Sequence, residues 1–201
     1  MFGCSHGQSK LSDKVGIQTY LEENKVSVRI DSAATLNLSR FDPHFSKAKL
    51  ILLGETHGSQ LNEVLDINLF KYLYKHHGVR YYLAENGYGM GLRINEYIQT
   101  GDTQLLKSIF QQLDGSFSYT NQNYDRIVQL RDFNASLPPH AKITYLGIDI
   151  EQRTGTGIQA IRRFLVMDTG LYPPSIKGAL LQIEYLSSKS FTSAMGFCAY
   201  F

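Results

Sequence analysis

Tryptophan is absent from this sequence and cysteine occurs only twice in 201 residues. Cys4 and Cys198 lie near opposite ends, so they supply neither a disulfide framework nor a zinc-ligand spacing. Charge of one sign is lacking too. Twenty Lys and Arg stand against eighteen Asp and Glu, a net of +2 with no basic tract, which excludes the electrostatic footprint of a nucleic-acid binder. No apolar run approaches the about 18–20 residues that a membrane span requires. Internal repeats and low-complexity segments are missing as well. What is present is a chain 43% hydrophobic and 19% charged, an ordinary core composition for one α/β domain or part of a larger one. Thirteen tyrosines suit a pocket rim, and equally a half-buried surface.

The opening "MFGCSHGQSK" contains "FGCS", which resembles the end of a bacterial lipoprotein signal. The localisation expected is cytoplasmic, or membrane-anchored in the cell envelope if Cys4 ends an upstream signal of that kind. Oligomeric state is not readable.

Hydrophobic periodicity organises the rest. "LSDKVGIQTYLEENK" reads as a first helix with Val15, Tyr20 and Leu21 on its apolar side. "KLILLG", residues 49–54, is a short continuous apolar run of the kind found in a buried parallel strand. "SQLNEVLDINLFKYLYKHHG" follows as a helix with Leu61, Val64, Leu65, Ile67, Phe70 and Leu73 facing inward and Gly78 closing it. "VRYYLAENG" is a second strand and "AKITYLGIDIE" a third. Between them lie helices over "GLRINEYIQTGD", stopped by Gly101; "TQLLKSIFQQL", capped by Asp102; and a helix opened by Thr120 that ends before Pro138. Two further helices follow, the last with Pro174 in its first turn. Alternation of strand and helix predicts an α/β fold, a parallel sheet of at least three strands flanked by helices. The expected division is a tail and helix over 1–35, an α/β core over 36–152 and a helical segment over 153–201.

Each expected strand delivers an acid at its carboxyl end: Glu55, Glu85 and Asp149. In open parallel sheets that end is where ligands bind. "LLGETHGSQ" adds His57 two residues after Glu55, so an extended backbone would point both the same way. An imidazole there can take a proton from water near neutral pH, and a neighbouring carboxylate can orient it. Glu85, from the adjacent strand, is the second carboxylate, and Asp149 is a supporting residue. A metal held by the same mixed nitrogen and oxygen donors is the rival use. The same residues also suit a helix cap, a turn histidine and a loop cap.

At these residues the chain resembles the N-terminal part of the erythromycin esterase-like family. The matching pieces are Gly54, Glu55, His57 and Gly58, then Glu85, then "INEYIQTGD" with Asn95, Tyr97 and Gly101. Arg131 and Asn134 in "RIVQLRDFNASLP" follow, and Gly147 and Asp149 in "ITYLGIDIE" complete the order. The resemblance covers about residues 36–152. It implies metal-independent hydrolysis of an ester or macrolide lactone by an activated water, without a cofactor, on a small-molecule ester substrate. By position, His57, Glu55 and Glu85 inherit the catalytic roles. Two departures stand out. The spacing is Glu-x-His rather than the common Glu-x-x-His, closer to haem-binding iron-regulated lipoproteins and to distant metal-dependent proteases. The chain is also about half the family's length, as expected of an N-terminal half or a shortened, inactive relative.

Arg93, Tyr119, Tyr124 and Arg126 are the residues expected to line a substrate pocket. His76 and His77 are read as surface residues favoured by a helix C-terminus. His44 and His140 are read as loop residues, and "GTG" at 155–157 lacks the preceding strand of a phosphate loop.

Overall fold

The computed structural model describes residues 9–25, 38–56, 59, 61–165 and 169–188. Two segments rich in aromatic and branched side chains become strands, β1 (Tyr81–Gly87) and β2 (Thr144–Asp149). They pair in parallel, with Tyr82 opposite Tyr145 and Ala84 opposite Gly147. Side chains alternate across a strand. Tyr82 and Ala84 are accordingly buried, while Tyr81, Leu83 and Glu85 face outward. The register slips by one residue at the carboxyl end, where Gly87 rather than Asn86 stands opposite Asp149.

The expected sheet of at least three strands does not form. Among the described residues the sheet has two strands, and the chain is mostly helical, with eight α-helices. The strand expected over 49–54 is irregular instead. Leu50, Leu52 and Leu53 are exposed, and Ile51 alone packs, against a small cluster built on Leu38, Tyr72 and Leu73. The physical reason is that a short apolar run names no partner. A strand exists only where another backbone takes its N–H and C=O groups, and among the described residues none pairs with this run as a strand.

The helices are α1 (Ser9–Asn24), α2 (Asp42–Phe45, entered through a 3-10 turn at Ser39–Phe41), α3 (Leu61–His77), α4 (Tyr88–Thr100), α5 (Thr103–Leu113), α6 (Asn121–Ala135), α7 (Thr154–Phe164) and α8 (Pro174–Ser188). Local signals explain several boundaries. Asp102 caps α5 by accepting from the Gln104 and Leu105 N–H groups at 2.9 and 3.1 Å. Thr120 caps α6 by accepting from Asn123 N–H at 3.1 Å. Gly101 ends α4 with φ of 76°, and a Cβ there would stand 2.7 Å from Arg131 Nε. In α5, Leu106, Ile109, Phe110 and Leu113 are buried, the i, i+3, i+4, i+7 stripe of an amphipathic helix. In α1, by contrast, Tyr20 and Leu21 are exposed. The main core joins Ile67, Phe70 and Tyr74 of α3 to Tyr82, Tyr145 and the inward faces of α4, α5 and α6.

Helix α4 lies along the outer edge of β2. Its positions 91, 95 and 99 are four residues apart and share one face. Gly91 sits so close that a Cβ would be 2.2 Å from Gly147 N. Asn95 Oδ1 accepts the Tyr145 N–H at 3.0 Å, and Gln99 Nε2 donates to Ile143 O at 2.8 Å. Two backbone groups that a further strand could have used, Tyr145 N–H and Ile143 C=O, are thus met by helix side chains. Asn134, 1% exposed, completes this corner. Its Oδ1 accepts from Ile143 N–H, and its Nδ2 donates to Ile98 O and Gln99 Oε1.

Candidate functional site

Glu85 and Asp149 arrive at the same end of two hydrogen-bonded parallel strands, as expected of a strand-end rim. Glu85 is exposed and Asp149 half-buried, the latter accepting from Ile150 N–H at 2.7 Å. The one-residue slip of register falls between Ala84 and Gly87; Glu85 keeps the outward alternation of Tyr81 and Leu83, and Asn86 turns to the Tyr145 hydroxyl. Glu55 is exposed on the irregular segment that precedes α3, not at the end of a strand. His57 lies outside the described residues.

On the packed face of the sheet, opposite to the one Glu85 takes, is a polar network that pattern reading did not assemble. Asp66 and Arg126 stand in the second turns of α3 and α6, which bring them to one place. Arg126 Nη1 donates to Asp66 Oδ2 at 3.0 Å and to the Tyr82 hydroxyl. The Tyr82 hydroxyl donates to the same Asp66 oxygen. Arg126 Nη2 donates to Asn123 Oδ1 at 2.7 Å. Tyr145, stacked on Tyr82 with ring centroids 5.1 Å apart, accepts from Asn86 Nδ2 at 2.7 Å. Burial pushes the Tyr82 phenol well above its ordinary range, opposed by the Arg126 charge. Burial raises Tyr145 in the same way, again opposed by Arg126. For Arg126 burial works against the charge, but the surrounding oxygens outweigh it and hold the guanidinium firmly protonated. The network is thus a fixed cation with its acceptors, and its phenols stay neutral at physiological pH.

The other expected pocket residues are dispersed. Tyr124 packs edge-on against Phe110 at 4.9 Å, within the core. Tyr119 is exposed in the turn before α6. Arg93 points to α5, where Nη2 donates to Ser108 Oγ at 2.7 Å, and its Nη1 is buried without a hydrogen-bond partner among the described residues. Burial lowers its pKa, with Glu96 opposing. Of the four, Arg126 alone joins the network around Tyr82.

Sequence reading also passed over two acids here. Glu151 follows β2 and reaches back to the start of α4, accepting from Gly89 N–H and the Thr156 hydroxyl, each at 2.6 Å. It supplies the cap that Gly87 has no side chain to make. Glu63, in the first turn of α3, holds Oε2 buried without a partner among the described residues. An i, i+3 relation between Glu63 and Asp66 was the available signal, but it reads equally as a solvated helix face.

Among the described residues no group of three or more His, Cys, Asp or Glu could hold a metal ion, and no helix is long and apolar enough to cross a membrane. Comparison of the chain with protein-family models, curated proteins and solved structures gives no match.

Proposed function

We propose that this protein hydrolyses an ester or lactone at the carboxyl-end rim of β1 and β2, as an erythromycin esterase-like hydrolase. The observation that carries the reading is the delivery of Glu85 and Asp149 to one end of a hydrogen-bonded parallel pair. The Gly-Glu-x-His-Gly stretch, residues 54–58, leads into α3, and Asp66 of that helix belongs to the network around Tyr82. His57 acts as general base. It takes a proton from water while the oxygen attacks the ester carbonyl, and the tetrahedral intermediate collapses as the proton passes to the leaving alkoxide. Acid and alcohol are the products. Glu55 and Glu85 orient the imidazole and balance its charge, and Asp149 supports the strand end. Arg126 ties α3, α6 and β1 together through Asp66 and Tyr82.

The test is hydrolysis of a p-nitrophenyl ester and of a macrolide lactone. Wild type is expected to exceed the buffer rate, and His57→Ala to fall by about 100-fold or more. Glu85→Gln is expected to lower the rate and displace the pH profile, and exhaustive chelation to leave activity intact. Equal rates for wild type and His57→Ala would remove the catalytic assignment.

A further inference from the structure

Helix α4 closes the β2 flank of the sheet. On the other flank, among the described residues, no backbone hydrogen bond joins β1 to anything but β2. The ladder decides which groups that flank presents. In a parallel pair, alternate residues turn both main-chain groups toward the neighbouring strand. Arg80 C=O accepts from Thr144 N–H at 2.9 Å, so residues 80, 82 and 84 face β2. Tyr81, Leu83 and Glu85 therefore turn their N–H and C=O groups away from it. Their side chains also hold the exposed face of the strand, with Tyr81 65% and Leu83 44% exposed.

This flank lacks most of the devices that keep an edge strand single. β1 contains no proline and no lysine, and Glu85 is its one charged residue. Its register irregularity comes only after Ala84. Arg80, just before the strand, is engaged elsewhere. Its guanidinium lies 3.8 Å over the Tyr74 ring and donates to the Tyr74 and Val79 carbonyls.

Because the β2 flank is closed, copies of this chain cannot pair edge to edge in an open stack. Pairing between them is isologous, β1 against β1 about a two-fold axis, with the strands antiparallel. Charge selects the register. An axis at Leu83 sets Tyr81 opposite Glu85 of the other copy and Leu83 opposite itself, and each of these residues exchanges both bonds with its opposite. An axis at Glu85 opposes two carboxylates, which is unfavourable. An axis at Ala84 sets Glu85 against Leu83, and one at Tyr82 leaves Glu85 without an opposite. The net charge of +2 puts little repulsion between two copies.

We propose that β1 is a self-association surface. A second copy adds its own β1 antiparallel about a two-fold axis at Leu83, giving a four-stranded sheet in which the partner's Tyr81 lies across from Glu85. The pairing holds whether or not the rim hydrolyses an ester, because it is read from mass and not from activity.

Sedimentation velocity of the full chain tests it. Up to roughly 100 μM, the wild type is expected to rise from the mass of one chain to that of two. Leu83→Glu opposes two carboxylates across the axis and is expected to raise the dissociation constant about tenfold or more. Leu83→Lys is expected to do the same. An equimolar mixture of the two variants is expected to regain association, because residue 83 meets its own copy. Ile148→Glu, on the same exposed face but in β2, is expected to leave the mass unchanged. A wild type that stays single at every concentration overturns the proposal, whatever else occupies the flank. So does a mixture that associates no better than either variant alone. Equal dissociation by Ile148→Glu and Leu83→Glu overturns it too, since it points to stacking of faces instead of pairing of edges. Should a variant at 83 fail to fold by circular dichroism, hydrogen exchange of the wild type decides. The Tyr81 and Leu83 amides are expected to gain protection with concentration while those of α5 do not, and no gain overturns the pairing.

Discussion

At the scale of single residues, Arg126 carries the sharpest expectation. Its side chain is 13% exposed and faces Asp66, itself 24% exposed, so removing the cation strands a half-buried carboxylate. Arg126→Met is expected to lower unfolding free energy by roughly 3 kcal/mol in urea titration, because breaking one half of a buried pair is worse than never having built it. Asn134 is a neutral counterpart. Asn134→Ala leaves the Ile143 N–H and Ile98 C=O without their partners, at a cost of about 2–3 kcal/mol in the same measurement. Asp42 adds a pH dependence. The Tyr72 and His77 hydrogen bonds lower its carboxyl below the ordinary aspartate value. A carboxyl lowered by folding contributes stability above its unfolded pKa of about 3.9, and that stability is lost as pH falls through the lower folded value. Asp42→Asn is therefore expected to flatten the acid limb of thermal stability below about pH 4, recorded by circular dichroism.

At the scale of elements, the decisive contact is α4 against the edge of β2. Gly91→Ala places a methyl 2.2 Å from Gly147 N, against backbone that has no rotamer to yield. The expected loss is about 3 kcal/mol or more, read as a lowered denaturation midpoint, since overpacking of this kind must move a helix. This is also where pattern reading succeeded in part. Asp102, Thr120, Gly101 and Pro174 announce helix boundaries by chemistry that acts within four residues, and each stands at the end it was expected to mark. "VRYYLAENG" and "AKITYLGIDIE" announce strands by composition, and Glu85 and Asp149 by position. What composition could not supply was partnership. Asp66 and Arg126 are 60 residues apart, and Asp42 and His77 are 35 apart, and no local pattern joins either pair. The run at 49–54 failed for the same reason, since its apolarity named no neighbour. The Asn95 and Asn134 signals were present, but as helix residues that bond strand backbone they fit neither a helical nor a strand template.

At the scale of the whole molecule, the sheet has, among the described residues, one face packed and one exposed. Tyr81 is 65% exposed and Ile148 also 65%, with Leu83 beside them and Leu52 exposed nearby in sequence to the rim motif. Parallel strands are ordinarily covered on both faces. The purified chain is expected to bind an apolar dye such as anilinonaphthalene sulfonate in its native state, and the double substitution Leu83→Lys with Ile148→Lys is expected to reduce that fluorescence severalfold without changing the far-ultraviolet spectrum.

The helix laid along β2 gives the sheet a direction. Hydrogen-bonding groups on that flank are already spoken for by Asn95 and Gln99, and Gly91 leaves no gap for a newcomer. Among the described residues, an extended chain that joins this protein by backbone pairing, its own or a foreign one, therefore finds the flank of β1 and not that of β2. Growth of the sheet is one-sided by construction, and what joins there stands beside Glu85.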